Sequence, residues 1–144
     1  MTVRVERTFT FDAPAEQVWE FIADPAKRAE AISVVESYEV TDEDGREAVW
    51  QVSLPIPGIG ATVAVETEDV ERDPPKYVEF VGRSKALRVT GRHTIDSEGE
   101  ATTLRNEFVV DGRLPGVERF FKKNFERELD NLEAALREEL GLTA

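Results

Sequence analysis

Cysteine is absent from this sequence of 144 residues, and histidine and methionine each occur once. The lack of cysteine excludes disulfide bonds, thiolate nucleophiles and cysteine-bound metals. One histidine without cysteine partners cannot supply a histidine-based zinc site, so we expect no metal and no cofactor. No apolar run approaches the roughly 20 residues that a membrane-spanning helix needs. The first residues alternate in polarity, unlike a signal peptide, and we therefore expect a cytoplasmic protein.

Basic residues are scarce relative to acidic ones. The chain carries 18 basic and 30 acidic residues, which gives a formal net charge of -12. Such a surface repels phosphate backbones, and no basic patch interrupts the acidity, so we expect no nucleic-acid partner. The acidity is spread along the whole chain, and arginine outnumbers lysine. This distribution leads to the hypothesis of a salt-loving host.

Polarity patterns predict the order of the secondary-structure elements. A chain of this length is most simply one domain, and we expect a single domain over residues 1–144. Alternating residues predict strands, and an apolar stripe at helical spacing predicts a helix. The predicted elements are a strand at 3–11, short helices at about 14–22 and 25–31, strands at 34–44, 46–54, 61–73, 76–82, 86–96 and 101–110, and a long helix at 114–140.

This order predicts an α+β fold. A single curved antiparallel sheet of about seven strands, wrapped on the long C-terminal helix, would bury the apolar face of the sheet and the apolar stripe of the helix together. The two short helices follow the first strand. A sheet that grips a helix through side chains of unequal size tends to leave a cavity between them.

Three segments carry a family resemblance. They are "DAPAEQVWEFIADP" at 12–25, "ERDPPKYVEF" at 71–80, and the C-terminal pattern from Leu114 to Leu136. In this order and spacing they resemble the START/Bet v 1-like (SRPBCC) superfamily, of the polyketide cyclase/dehydrase and lipid-transport type. The resemblance covers nearly the whole chain. It implies a helix-grip fold with a deep, mainly apolar cavity, in proteins that bind lipids, sterols, hormones or polyketides or that catalyse cyclisation or dehydration.

The alternation also assigns side chains to the inner face of the sheet. With the stripe of the last helix, these residues form the predicted wall of a ligand-binding cavity. The candidate ligand-binding residues are Val63, Val65, Phe80, Val89, Gly91, His93, Leu104, Asn106, Phe108, Phe121 and Phe125.

His93 and Asn106 are polar residues on inner faces that are otherwise apolar. If the hairpin turns at 97–100, Leu104 lies opposite His93 and Asn106 lies opposite Gly91, so that the two polar side chains are diagonal neighbours. Gly91 either opens space there or marks a bulge. His93 is either a structural or strand-end histidine, a ligand contact, or a catalytic residue. Asn106 is either a structural hydrogen-bonding residue or a ligand contact.

Glu128 follows Phe121 by seven residues, which rotates it by only about 20° on an ideal helix. It lies at the edge of the apolar stripe, and it either faces the cavity or extends to solvent. Together with His93, it is a candidate catalytic residue, because burial can shift a carboxyl pKa toward neutrality. Arg7 shares the apolar parity of its strand, and we interpret it as structural.

The loop "LPIPGIG" at 54–60 contains two isoleucines among prolines and glycines. It either packs as a turn against the first helices or forms an apolar lip that gates the cavity or makes transient contact with a membrane. Its glycines do not form a dinucleotide-binding motif, since the third glycine is missing and a strand follows.

The sequence therefore supports three functions. The first is binding or carriage of a small hydrophobic ligand, such as a lipid, isoprenoid, quinone or polyketide-like compound. The second is an enzyme resembling a polyketide cyclase or dehydratase, with His93, Asn106 and Glu128 in acid–base roles and no metal. The third is a protein-interaction module with a vestigial cavity. The oligomeric state and the ligand do not follow from the sequence.

Overall fold

The computed structural model describes residues 2–54, 62–99 and 101–141. The elements in these residues are β1 (Thr2–Phe11), α1 (Ala15–Ile22), α2 (Pro25–Ala31), β2 (Val35–Val40), β3 (Glu47–Val52), β4 (Val63–Asp73), β5 (Tyr77–Arg83), β6 (Leu87–Glu98), β7 (Ala101–Gly112) and α3 (Val117–Glu139). The seven strands form one antiparallel sheet in the order β1-β7-β6-β5-β4-β3-β2. The predicted helix-grip fold is confirmed.

The sheet order follows from hairpin connections. Each strand from β2 to β6 pairs with the next one in sequence, whereas β1 pairs with β7 and forms the edge opposite β2. The two short helices bridge the distance between β1 and β2. On β4 the inward side chains from Val63 to Asp69 are buried at every second position, as the period of an extended strand requires.

The short helix α2 begins at residues that suit a helix N-terminus. Pro25 occupies the first turn of α2, and the Asp24 side chain accepts a hydrogen bond from the Ala26 backbone N–H at 2.9 Å. On α1, Val18 and Ile22 are fully buried against the sheet. The cap at Asp24 and the proline that follows it thus mark the start of α2 as a helix separate from α1.

The long helix α3 lies across the inner face of the sheet through its apolar stripe. Its buried apolar residues are Val117, Phe121, Phe125, Leu129, Leu132 and Leu136. The Arg7 side chain on β1 pairs with Glu126 and Asp130 on α3, which agrees with the structural interpretation of this arginine. No helix in the described ranges is long and apolar enough to cross a membrane. Of the candidate lip at 54–60, Leu54 is buried, and residues 55–60 lie outside the described residues.

The predicted register of the β6–β7 hairpin is wrong by two residues. His93 lies directly opposite Asn106, not opposite Leu104, and Gly91 lies opposite Phe108. The pairing runs through Gly91 without a shift on either side, so this glycine does not mark a bulge. The two polar side chains are therefore direct cross-strand partners.

The turn explains the error in register. β6 continues to Glu98 and β7 begins at Ala101, so the loop has two residues and not four. Gly99 adopts a φ of +64°, the left-handed region that tight two-residue hairpin turns use. Alternation could not reveal the difference, since a shift by two residues keeps every side chain on the same face.

Candidate functional site

A cavity of about 80 Å³ lies between the sheet and α3. This volume is several times the ~10–15 Å³ that a cavity needs to hold one water molecule. Its wall combines the inner face of the sheet, the stripe of α3, the end of α1 and the segment between α2 and β2. The lining residues are Ile22, Arg28, Ile32, Val34, Val35, Trp50, Val52, Val65, Phe80, Leu87, Val89, His93, Phe108, Val110, Phe121, Phe125, Glu128, Leu129 and Leu132.

His93 is held by a polar chain that crosses from β6 to β1. Its Nδ1 lies 2.8 Å from the Asn106 Oδ1, and the Asn106 Nδ2 donates a hydrogen bond to the Arg7 backbone carbonyl at 3.2 Å. The carbonyl of Arg7 requires a donor, so the Asn106 amide must present its oxygen to His93. That oxygen requires a donor in turn, so the proton of neutral His93 sits on Nδ1 and Nε2 carries a lone pair.

His93 is neutral because of its surroundings. The pKa of its imidazole is lowered to about 3, mainly by burial and then by the nearby Arg28 charge, while the hydrogen bond to Asn106 acts in the opposite direction. The ring stacks on Phe80 at 6.1 Å between centroids and meets the Phe108 ring edge-on at 5.4 Å. Ionised imidazolium would lose its hydration among these rings, which is why neutral imidazole prevails.

This pKa predicts a specific dependence of stability on pH. The unfolded chain binds a proton at its histidine near pH 6.5, whereas the folded chain does so only near pH 3. The stability contribution is present above pH 6.5 and falls as the pH drops toward 3, because the unfolded state then binds more protons. Between about pH 7.5 and pH 5, the free energy of unfolding should fall by about 2 kcal/mol more for the wild type than for the variant His93→Phe.

Urea unfolding of both proteins at the two pH values measures this difference. The carboxylates are common to both chains and cancel in the comparison. NMR of the single histidine gives an independent control, since its ring signals should show no protonation down to about pH 4 in the folded state. Equal pH slopes for wild type and variant would contradict the buried neutral imidazole.

A buried ion-pair cluster lies beside the cavity, which its member Arg28 lines. The Arg28 guanidinium on α2 pairs with Asp69 on β4, and both side chains are almost completely buried. Asp69 also accepts two hydrogen bonds from Arg72, at 2.9 and 2.7 Å. Burial lowers the pKa of Arg28, and the Asp69 carboxylate opposes that shift. Asp69 is therefore the acceptor that Arg28 and Arg72 share.

Three lining residues keep a buried polar atom without a hydrogen-bond partner in the described part of the chain. These atoms are Nε of Arg28, Nε1 of Trp50 and Nε2 of His93. All three side chains surround Phe80: the Arg28 guanidinium carbon lies 4.8 Å from the centroid of the Phe80 ring, and the Trp50 ring lies 5.9 Å from it. Each buried unpartnered group costs about 1–3 kcal/mol. The three unpartnered polar atoms thus belong to side chains that surround one aromatic ring.

Glu128 faces inward and does not extend to solvent. Its carboxylate accepts a hydrogen bond from the Ser33 backbone N–H at 2.9 Å and another from the Ser33 hydroxyl. The side chain is buried and lines the cavity. Glu128 thereby fastens α3 to the segment between α2 and β2.

The predicted site residues divide into two groups in the structure. Those that line the cavity are Val65, Phe80, Val89, His93, Phe108, Phe121, Phe125 and Glu128. Four others lie behind the wall or beside it: Val63, Gly91, Leu104 and Asn106.

Each of the four residues that do not line the cavity has a structural reason. Phe80 covers Gly91 so closely that an added Cβ would lie 2.1 Å from its ring. Leu104 is buried between Ile95 and Phe9 of the adjacent strands, and Asn106 lies behind His93. Val63 is buried in the core at the start of β4.

Sequence reasoning missed Arg28 and Trp50. Arg28 lies on a short helix rich in charged residues, where arginine is ordinarily exposed. Trp50 occupies an inward position on β3, and its alternation with Ala48 and Val52 was a usable signal. No local pattern indicates that Arg28 meets Asp69, because this contact joins residues 41 positions apart.

Comparison with known proteins agrees with this architecture. Residues 2–137 match the family described as polyketide cyclase / dehydrase and lipid transport. No match was found among curated proteins. Several solved structures are similar over nearly the whole chain.

Three of these structures come from different bacteria and have similar overall folds. A conserved protein from Geobacillus kaustophilus has a TM-score of 0.76 at 15% identity, covering 96% of this chain and 95% of its own. A START superfamily protein from Mycobacterium smegmatis has a TM-score of 0.75 at 17% identity, with coverage of 96% and 97%. The Zhui aromatase/cyclase from Streptomyces sp. R1128 has a TM-score of 0.73 at 20% identity, with coverage of 96% and 94%.

At these identities the solved structures show the fold alone, whereas the family match rests on the sequence of most of the chain. Fold and family together give a hydrophobic-ligand-binding architecture of the START and polyketide cyclase type. The chain belongs to the polyketide cyclase/dehydrase and lipid-transport family of the START/Bet v 1-like superfamily.

Proposed function

We propose that this protein binds and carries a small hydrophobic molecule, of the lipid, isoprenoid, quinone or polyketide-like class, in the cavity between the sheet and α3. The observation that carries the proposal is the composition of the cavity wall. Apart from Arg28, His93 and Glu128, the lining side chains are aliphatic or aromatic. Such a wall favours transfer of apolar surface from water at about 25 cal/mol per Å².

The size of the cavity limits what fits without rearrangement. Its volume of about 80 Å³ is below the range of ~300–1,000 Å³ that drug-sized ligands occupy. The wall is least covered at Ile32, Val34, Val35 and Val89, which are only half-buried. A single-ring compound or one end of a longer molecule matches this space. A full lipid requires outward movement of the segment between α2 and β2, which Glu128 and Ser33 now hold against α3.

The enzyme alternative assigns acid–base roles to His93, Asn106 and Glu128. A general base works best with a pKa near the operating pH, and burial lowers the pKa of His93 to about 3. Glu128 already accepts two hydrogen bonds from Ser33, and Asn106 is occupied by His93 and Arg7. These constraints favour a binding function over acid–base catalysis.

We also propose a cytoplasmic location without a nucleic-acid partner. The net charge of -12 opposes approach to phosphate backbones, and it supports solubility in a salt-rich interior. The acidic surface therefore argues against a polyanionic ligand.

Native mass spectrometry after purification at high ionic strength, followed by organic extraction, tests the proposal. We expect a discrete apolar adduct on the wild type. Val89→Phe fills the cavity wall and should reduce the adduct at least tenfold. Val70→Phe, on an exposed side chain of β4, is the matched control and should retain it. Equal adduct on both variants, or failure of apolar probes to bind the apo protein, would contradict cavity binding.

A further inference from the structure

Exposed basic residues collect at one end of the fold, although the chain as a whole is acidic. They come from the end of β5, the β5–β6 turn, the start of β6, the segment between β7 and α3, and the first turns of α3. The residues of this basic end are Arg83, Lys85, Arg88, Arg113, Arg119, Lys122 and Lys123. Segments 83–88 and 111–123 contain only two acidic residues, Asp111 and Glu118. The tertiary structure thus assembles a basic surface that the sequence pattern did not show.

Backbone contacts bring the first residues of the basic end together. Arg83 and Arg88 are direct cross-strand partners on β5 and β6, which places their Cβ atoms about 4.5–5.5 Å apart. Lys85 lies in the turn between them. The Arg113 backbone N–H donates a hydrogen bond to the Ala86 carbonyl at 2.8 Å, so the segment after β7 lies against the same turn.

The helical residues of the basic end share one exposed face. Lys122 and Lys123 follow Arg119 by three and four residues, the spacing of neighbours on a helix surface. All three are exposed and lie within about 10 Å of the start of α3 at Val117, at ~1.5 Å per residue. The cations therefore surround the point where the sheet and α3 meet.

The charges of the basic end are not neutralised by ion pairs. Within residues 2–54, 62–99 and 101–141, the ion pairs involve other arginines and Lys27. Asp111 lies opposite Arg88, but its carboxylate accepts a hydrogen bond from the Thr2 hydroxyl. Unpaired like charges at one end create a positive local potential that attracts an anionic partner.

The acidity of the remaining surface does not cancel this attraction at contact. α3 has 23 residues and extends about 34 Å away from the basic end. Exposed charges are largely screened beyond ~8 Å at physiological ionic strength. Acidic residues at the opposite end, such as Glu138 and Glu139 on the last turn of α3, thus act weakly on a surface that touches only the basic end.

Apolar side chains lie among these cations. Leu114 and Phe120 are half-buried and Pro115 is exposed, between Arg113 and Lys122 in sequence. The interface of a bilayer accepts basic and apolar side chains together. A nucleic acid or an acidic peptide offers anions to the cations but little apolar surface to these residues.

The least covered part of the cavity wall lies at the same end of the sheet. Val35 at the start of β2 pairs with Val52 at the end of β3, which pairs with Val63 at the start of β4. The start of β4 runs beside the end of β5. Val89 lies near the start of β6, beside Arg88. A membrane in contact with the basic end would therefore lie near this part of the wall.

We propose that the basic end docks the protein reversibly on the surface of a membrane that contains anionic phospholipids. The cations contact the headgroups, and Leu114 and Pro115 enter the interface. Docking does not rest on the proposed function, since it requires no ligand in the cavity. It adds a place at which a carried molecule is exchanged.

Co-sedimentation of the full chain with lipid vesicles tests this inference. One vesicle preparation contains phosphatidylcholine alone, and the other contains phosphatidylcholine and phosphatidylserine at two parts to one. At low ionic strength we expect at least tenfold tighter binding to the anionic vesicles, because basic residues near an anionic surface attract it. Binding should decline as the salt concentration rises.

Two double variants of equal net charge locate the contact. Lys85→Glu with Arg113→Glu reverses two charges at the basic end and should weaken vesicle binding at least tenfold. Lys76→Glu with Arg46→Glu reverses one lysine and one arginine in turns at the opposite end and should change binding less than twofold. All four side chains are exposed, and chemical denaturation checks that both variants fold.

The outcomes are distinct. If both double variants weaken binding equally, net charge governs binding and the assignment to the basic end is wrong. If the wild type does not bind anionic vesicles, or if duplex DNA or polyglutamate displaces it from them at equal anionic charge, the partner is not a membrane. The apolar adduct in native mass spectrometry reports on the cavity alone, so its absence would contradict the proposed function and leave docking standing.

Discussion

Asp69→Asn is expected to lower the free energy of unfolding by about 3–5 kcal/mol, the range for breaking a buried ion pair by removing one partner. The substitution preserves the shape of the side chain but removes the charge that Arg28 and Arg72 share. Arg28 is then a buried cation without a balancing anion, beside the apolar cavity. Chemical denaturation of the wild type and the variant measures the loss.

The loss of stability should depend on which partner of the Arg28–Asp69 pair is replaced. Arg28→Met should cost less than Asp69→Asn, because Asp69 keeps both of its hydrogen bonds to Arg72. Glu133→Gln, which breaks a half-exposed pair with Arg137 on α3, is the control and should change stability by less than about 0.5 kcal/mol. If Arg28→Met proves as costly as Asp69→Asn, the shared-acceptor account is wrong.

Phe80→Ala is the second large effect, with an expected loss of about 3–5 kcal/mol. The Phe80 ring packs against Trp50, His93 and Phe108, and the Arg28 guanidinium lies over its face. Truncation removes the ring that the Arg28, Trp50 and His93 side chains surround. Chemical denaturation of the wild type and the variant measures the loss.

Gly91 provides the matched test of this packing. Gly91→Ala alone should destabilise the protein by about 1–3 kcal/mol, because its new Cβ overlaps the Phe80 ring. In the Phe80→Ala background the same change should cost almost nothing, since the ring is gone. Phe120→Ala removes a half-buried ring on α3 and should cost less than Phe80→Ala. Additive costs for Phe80→Ala and Gly91→Ala would contradict the direct contact.

Most of the fold could be predicted from the sequence. The alternation on β4 and β6 placed Val65, Val89 and His93 on the inner face, and the stripe on α3 placed Phe121 and Phe125 against it. These assignments succeed because the period of a strand or helix is a local property of the backbone. The direction of Glu128 could not be read in this way, since its partner Ser33 lies far away in sequence, between α2 and β2.

The register of the β6–β7 hairpin and the polar partners of His93 could not be predicted from the polarity pattern. The pairing of His93 with Asn106 depends on a two-residue turn at Gly99, and a shift by two residues leaves the pattern of apolar positions unchanged. The tautomer of His93 depends in turn on the Arg7 carbonyl of a third strand. Each hydrogen bond in this chain joins residues that are distant in sequence.

The sequence by itself determined the elements, the buried faces and the family, because local periodicity and ordered motifs need no knowledge of distant contacts. Only the tertiary structure decided which polar groups meet in the cavity. Arg28 and Asp69 are brought together when α2 packs against the sheet, and Trp50 and His93 meet the same Phe80 ring from different strands. Long-range packing creates the chemistry of the site, since burial and unpartnered hydrogen-bonding groups exist only once the chain has folded.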